Sequence, residues 1–128
     1  MLTKLEEHDD KGKTKQKAEK YWPELDKSCL HLPRSHIKVE QLPQKRSGQA
    51  GFVQRKFLVT RGTSGTIVHQ LQATGWPDHS VPESAQLVVD MVSQANLLSP
   101  SPTAPILVHC SAGVGRTGTF IAVHKLNR

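Results

Sequence analysis

Long apolar runs and cysteines are scarce in this 128-residue chain. No apolar run approaches the ~20 residues that a helix needs to cross a bilayer, so we expect no membrane insertion within the chain. The only two cysteines, Cys29 and Cys110, could form one disulfide at most. No pair of His, Cys or carboxylate residues has a metal-site spacing, and the sequence therefore predicts no metal.

Positive charge is concentrated in the first half of the chain. Residues 1–61 hold 14 Lys/Arg and 8 Asp/Glu, a net charge of +6, whereas residues 62–128 hold three of each. The excess includes Lys11, Lys13, Lys15, Lys17 and Lys20. A basic arm of this kind can bind nucleic acid or an acidic membrane. No aromatic residues interleave to stack on bases, so we favour a solvated loop and expect no nucleic-acid partner.

Alternating and glycine-bounded segments predict strands in the first part of the chain. They are Leu2 to Glu7, Leu30 to Glu40 with an interruption at Pro33, Phe52 to Thr60, and Thr66 to Ala73. The last two are joined by Arg-Gly-Thr-Ser-Gly at 61–65, which is a hairpin signal. In the last strand, Ile67, His69, Leu71 and Ala73 should share one face.

From Glu83 onward the apolar spacing becomes helical. Five apolar residues form one stripe, which we interpret as core: Leu87, Val88, Met91, Val92 and Ala95. Pro82 suits the start of this helix, and three prolines between residues 96 and 105 break it. The run Ile106-Leu107-Val108 then predicts a buried strand, and Thr117 to Leu126 predicts a second helix.

The stretch Val-His-Cys-Ser-Ala-Gly-Val-Gly-Arg-Thr at 108–117 carries the clearest chemistry. A strand that feeds a tight loop into a helix N-terminus directs backbone N–H groups and the positive end of the helix dipole at one point. Cys110 lies at the rim of that anion site, where its thiolate would be stabilised. Arg116 offers a planar fork of donors that matches two phosphate oxygens. A nucleophile and a phosphate cradle therefore share one loop.

Two nucleotide-binding interpretations of the glycine run are weaker. Residues 113–118 fit the dinucleotide pattern Gly-x-Gly-x-x-Gly, but the ten residues that follow leave no room for a second strand and its ribose-binding acid. A mononucleotide loop needs lysine where Arg116 stands.

An inert buried thiol is a further interpretation of Cys110. The arginine and the glycines at phosphate-loop spacing argue against it.

The segment from His109 to Gly118 resembles the active-site signature of the protein tyrosine phosphatases, in the form of their phosphotyrosine-specific branch. Trp76-Pro77-Asp78, followed by Val-Pro-Glu-Ser at 81–84, is similar to the loop that carries that family's general acid. A third, weaker match is Tyr-Trp-Pro at 21–23. These matches follow the family's order along most of the chain.

The resemblance implies an α/β fold with a twisted mixed sheet flanked by helices. It assigns residues 1–128 to part of a phosphatase catalytic domain, with the acid loop at 76–84 and the phosphate-binding loop at 109–117. Because the family's domain is considerably longer than this chain, we expect a domain that is incomplete at both ends. No cofactor is implied. A reactive thiolate requires a reducing compartment, so we expect a cytoplasmic location or the intracellular part of a receptor-type parent.

The chemistry implied for this loop starts with attack on phosphotyrosine. Cys110 attacks as a thiolate and forms a phosphocysteine, while Arg116 and the loop N–H groups stabilise the phosphoryl oxygens. The departing phenolate has a pKa of about 10, and a neutral acid that protonates it contributes about 10²–10⁴-fold in rate. Asp78 is the candidate acid, and in the family the same residue then serves as the base.

Further roles are assigned around the nucleophile. Thr117 is placed to hydrogen-bond the cysteine sulfur, and His109 is expected to be a buried tuning residue. The substrate-binding residues are Ser111, Ala112, Gly113, Val114, Gly115 and Arg116. Ser80 departs from the glycine often seen in the acid loop, which predicts a stiffer loop. The expected partners are phosphotyrosine-containing proteins, and two functions stay open: hydrolysis, or binding by a non-catalytic fragment.

Overall fold

The structure, a computed structural model, describes residues 1–25, 29–45, 51–77 and 80–127. The chain forms two compact units. The first unit comprises the described residues of Met1–Glu19, Gly48–Val53 and Leu71–Arg128, and the second comprises those of Lys20–Ser47 and Gln54–Gln70. No helix among the described residues is long and apolar enough to cross a membrane.

Strands and helices both contribute to the described part of the chain. The strands are β1 (Glu6–His8), β2 (Thr14–Gln16), β3 (Leu30–Leu32), β4 (Ile37–Leu42), β5 (Phe52–Arg61) and β6 (Ser64–Ala73); the helices are α1 (Ala85–Leu98) and α2 (Gly115–Leu126). Strands β1 and β2 form an antiparallel hairpin, and the other four form one sheet in the order β3-β4-β5-β6. The predicted α/β fold class is confirmed.

The second unit follows the predicted strands closely. The expected interruption at Pro33 is a 3-10 turn, Pro33–Ser35, after which His36 adopts a left-handed conformation. Strands β3, β4 and β5 pair antiparallel. Only two residues, at 62–63, separate β5 from β6, so the predicted hairpin is tighter than its five-residue signal. Gly62 has φ +58°, a conformation that suits such a turn because glycine has no Cβ to clash.

The face of β6 that carries the predicted apolar residues is covered only in the second half of the strand. Ile67 is 43 % exposed, whereas Gln70 is buried. The amide of Gln70 donates to the Tyr21 hydroxyl at 3.1 Å and accepts from Arg55 at 3.0 Å. Burial of an amide is tolerated when both its ends are hydrogen-bonded. Alternation of residue types therefore failed to identify the covered face.

Helix α1 supplies the core of the first unit. Its N-cap is Ser84, whose side chain accepts from Gln86 N–H at 3.1 Å, so the helix begins two residues later than predicted. The predicted stripe is buried at Leu87, Val88, Met91 and Val92. Other core members come from several segments: Leu2, Phe52, Ala73, Trp76, Cys110 and Phe120. The stripe prediction is confirmed.

The residues before the phosphate loop do not form the predicted buried strand. The segment 106–108 has no assigned strand, and Leu107 is 88 % exposed. Apolar side chains are buried only where another element covers them, and in the described residues Val108 alone of this run packs against the core. Leu2 fixes the end of the segment, since its N–H donates to the His109 carbonyl at 2.8 Å.

The packing of α1 makes a stability prediction. Leu87→Ala should lower the free energy of unfolding by about 2–5 kcal/mol, because it empties a site that is 4 % exposed. Leu97→Ala on the same helix is the matched control, since Leu97 is 79 % exposed and should change stability by less than about 0.5 kcal/mol. Urea unfolding followed by circular dichroism measures both. Equal losses would contradict the assignment of the core face.

Candidate active site

The loop between Cys110 and α2 divides into a buried base and an exposed rim. Cys110, Arg116 and Thr117 are buried, whereas residues 111–115 are exposed. Gly113 has φ +81°, a left-handed conformation that glycine adopts without steric cost. Helix α2 begins at Gly115, two residues earlier than predicted, so its first N–H groups belong to the loop itself. Five of the six predicted substrate-binding residues, at 111–115, thus lie on the exposed side of the first turn of α2, whereas the sixth, Arg116, is buried.

The Cys110 thiol is held by two donors. The Thr117 hydroxyl donates to Sγ at 3.1 Å, and the Gly113 backbone N–H donates at 3.2 Å. Burial raises the pKa of this thiol, but hydrogen bonds from Thr117 and Gly113 and the charge of Arg116 outweigh it. The pKa therefore lies below its ordinary value. This increases the fraction of thiolate, the nucleophilic form, at neutral pH.

Arg116 joins the loop to two distant segments. Its Nη1 donates to the Trp76 carbonyl at 2.8 Å and to Glu7 Oε1 at 3.0 Å. The guanidinium is 3 % exposed and Glu7 is largely buried, so this ion pair is shielded from solvent. Glu7 was not among the predicted site residues. It lies 109 positions from Arg116, and no local pattern in the sequence indicates that the two side chains meet.

The stem of the acid loop is closed by several hydrogen bonds. The Trp76 indole N–H donates to the Ser80 carbonyl at 3.2 Å, and the Glu83 N–H donates to the Gly75 carbonyl at 2.9 Å. Ser80 Oγ lies 3.0 Å from the Pro77 carbonyl oxygen and 3.1 Å from that of Val81. A glycine could not form these contacts of the side chain, and the stiffer loop expected from Ser80 stays a prediction. The predicted acid, Asp78, lies outside the described residues.

His109 contacts the backbone beside the nucleophile. Its Nδ1 lies 3.3 Å from the Cys110 carbonyl oxygen, and its own carbonyl accepts the Leu2 N–H. These contacts fix the chain around Cys110 and favour a structural role for the imidazole.

Both cysteines are free thiols, so the disulfide considered for Cys29 and Cys110 is absent. No group of three or more His, Cys, Asp or Glu side chains in the described ranges could hold a metal ion.

Comparison with known proteins gives consistent matches. The family model for protein-tyrosine phosphatase matches residues 1–128. Receptor-type tyrosine-protein phosphatase V of Rattus norvegicus is 40% identical over 115 residues, which are 87% of this chain and 6% of that protein. Receptor-type tyrosine-protein phosphatase C of Homo sapiens is 34% identical over 129 residues, 98% of this chain and 9% of that protein. The chain thus spans less than a tenth of either relative.

A solved structure matches over nearly the whole chain. It is that of PTPN18 in complex with HER2-pY1248 phosphopeptides, with a TM-score of 0.80 and 28% sequence identity. The match covers 96% of this chain and 42% of that one. The fold described above therefore corresponds to less than half of the matched chain.

The contacts of Cys110 predict a shift in its titration. Thr117→Val removes the hydroxyl that donates to Sγ, so the pKa of the thiol should rise and alkylation should begin at higher pH. Iodoacetamide alkylation rates measured across pH, in a Cys29→Ser background, report this titration. Thr119→Val is the matched control, because that hydroxyl donates to the Gly115 carbonyl instead. An unchanged profile for Thr117→Val would contradict the proposed stabilisation of the thiolate.

The ion pair of Arg116 predicts a loss of stability. Glu7→Gln removes the charge opposite a buried guanidinium and should lower the free energy of unfolding by about 1–3 kcal/mol. Glu6→Gln is the control on the same strand, since successive strand residues point to opposite faces and Glu6 is exposed. Urea-unfolding midpoints compare the two variants. Similar midpoints would show that Glu7 contributes no more than a surface carboxylate.

Proposed function

Because the chain belongs to the protein-tyrosine phosphatase family, we propose that it hydrolyses phosphotyrosine in proteins through a phosphocysteine intermediate. The observation that carries this proposal is the environment of Cys110. Its Sγ accepts hydrogen bonds from Thr117 and Gly113, and its pKa is lowered. An inert buried thiol would have a raised pKa instead.

The first half of the reaction forms the intermediate. The Cys110 thiolate attacks phosphorus, an S–P bond forms, and the bond from phosphorus to the phenolic oxygen breaks. A proton from Asp78 passes to that oxygen, so the leaving group departs as a neutral phenol. In this scheme Arg116 and backbone N–H groups of the loop at 111–115 stabilise the charge on the phosphoryl oxygens.

The second half regenerates the enzyme. Water attacks phosphorus, its proton passes to the Asp78 carboxylate, the S–P bond breaks and inorganic phosphate leaves. The Thr117 hydroxyl, 3.1 Å from Sγ, stabilises the departing thiolate. His109 acts in this scheme only by fixing the backbone of Cys110.

The proposal extends to domain organisation, partners and location. We assign residues 1–128 to part of a catalytic domain with its acid loop at 76–84 and its phosphate-binding loop at 109–117. Phosphotyrosine-containing proteins are the proposed substrates, supported by the phosphopeptides bound to the similar protein PTPN18. A reactive thiolate needs reducing surroundings, so the proposed location is cytoplasmic or the intracellular part of a receptor-type parent.

Hydrolysis of a small aryl phosphate by the purified chain tests the function. We expect Cys110→Ser to abolish turnover, because a hydroxyl at this position is not ionised at neutral pH. Cys29→Ser is the matched control and should retain full activity. Asp78→Asn should lower kcat by about 10²–10⁴-fold while leaving alkylation of Cys110 unchanged.

Two results would count against this mechanism. Turnover that survives Cys110→Ser would exclude the thiol as nucleophile. Absence of turnover from a wild-type chain that melts cooperatively would leave phosphotyrosine binding without hydrolysis as the function of this chain.

A further inference from the structure

A Ser-Pro-Ser-Pro repeat at 99–102 follows helix α1 and leads towards the phosphate-binding loop. The proposed hydrolysis of phosphotyrosine makes no use of this repeat. Proline has a fixed φ and no N–H, and proline-directed protein kinases select a serine by these properties of the residue that follows it. The repeat offers such a pair twice, at Ser99 and at Ser101, and the surroundings of the two hydroxyl groups differ.

Ser99 belongs to the end of helix α1. It is the C-cap residue, and its N–H donates to the Ala95 carbonyl at 3.1 Å. Its side chain is half-buried, and Oγ donates to the Ser101 carbonyl at 2.8 Å. A phosphate on Ser99 would add negative charge at the helix C-terminus, where the helix dipole is itself negative. Ser99 is therefore a poor phosphate acceptor in the folded chain.

Ser101 is exposed and occupies the first position of a tight turn. Its carbonyl accepts the Ala104 N–H at 3.1 Å, and Pro102 follows at the second position, which the fixed φ of proline suits. The Ser101 Oγ lies 3.2 Å from Oγ1 of Thr103, another exposed hydroxyl group. These contacts join close neighbours in the sequence. The turn can therefore open on a kinase without breaking a strand or a helix.

The groove beside this turn suits a negative group. It has a volume of about 730 Å³, and the turn contributes Thr103 to its lining. The end of α2 contributes His124 and Lys125, which are the ionisable residues among those that line the groove, and the rest of the lining is apolar. Since Thr103 contacts Ser101 Oγ, a phosphate on Ser101 would lie at the edge of a groove that has basic side chains and no carboxylate. Basic neighbours stabilise a phosphate, whereas carboxylates repel it.

We propose that Ser101 is a phosphorylation site for a proline-directed protein kinase. The Ser101 Oγ attacks the terminal phosphorus of ATP, an O–P bond forms, the bond to the β-phosphate oxygen breaks and ADP leaves. The hydroxyl proton passes to the catalytic carboxylate of the kinase. The site is independent of the proposed phosphotyrosine hydrolysis, because none of its residues belongs to the acid loop or to the phosphate-binding loop.

Phosphorylation of the purified full chain tests this site. The probes are a mitogen-activated protein kinase and a cyclin-dependent kinase, each with ATP and Mg²⁺, and mass spectrometry localises the phosphate. We expect the phosphate at Ser101, with Ser99 reacting about fivefold more slowly because its hydroxyl must first leave its hydrogen bond. A synthetic peptide with the sequence of residues 95–107 lacks the folded helix end, so the rates at its two serines should be similar.

Matched variants identify the acceptor and the role of proline. Ser101→Ala should lose most of the phosphate, and Pro102→Ala should have the same effect although the acceptor hydroxyl is retained. The controls are Ser99→Ala and Pro100→Ala, which alter the other Ser-Pro pair and should keep phosphorylation at Ser101. Cooperative melting of every variant shows that it is folded.

Three results would overturn the site. They are absence of phosphate from the folded chain, phosphorylation of Ser99 as fast as that of Ser101, and phosphorylation of Ser101 that survives Pro102→Ala. None of them bears on the proposed phosphatase function, since hydrolysis of an aryl phosphate is measured separately on the unphosphorylated chain.

Discussion

The buried positive charge of Arg116 is the constraint on which the candidate active site depends. An uncompensated charge inside a protein is strongly destabilising, so a guanidinium that is 3 % exposed must have acceptors supplied by the fold. Those acceptors are Glu7 on β1 and the Trp76 carbonyl at the stem of the acid loop. Arg116 therefore connects the loop that carries Cys110 with strand β1 and with the segment that precedes the expected acid.

The pKa of the Cys110 thiol depends on several effects that oppose one another. Burial protects the thiol and raises its pKa, whereas donors from Thr117 and Gly113 and the charge of Arg116 lower it. The effects that lower the pKa prevail because two of the donors form hydrogen bonds with Sγ itself. The rim at 111–115 is exposed to solvent, while Cys110 at the base of the loop packs in the core.

Local patterns predicted both helices and the strands of the four-stranded sheet, but strand β2 was expected to be a loop, and contacts between distant segments cannot be predicted from local patterns. The α1 stripe and the interruption at Pro33 follow from residues close in sequence. The pairing of Glu7 with Arg116 spans 109 positions and depends on how the hairpin packs. Leu107 was wrongly expected to be buried because apolarity does not indicate whether another element covers a side chain. The role of Asp78 stays a prediction from its motif.

Arg116 also couples the phosphate loop to the acid loop, since one nitrogen serves both Glu7 and Trp76. A guanidinium is planar, so two acceptors on Nη1 orient the whole group. A ligand that binds the guanidinium best in this orientation would also stabilise its hydrogen bond to Trp76. By thermodynamic linkage, that hydrogen bond would strengthen ligand binding by the same factor. The contacts of Ser80 with Trp76 and Pro77 restrict freedom within the stem.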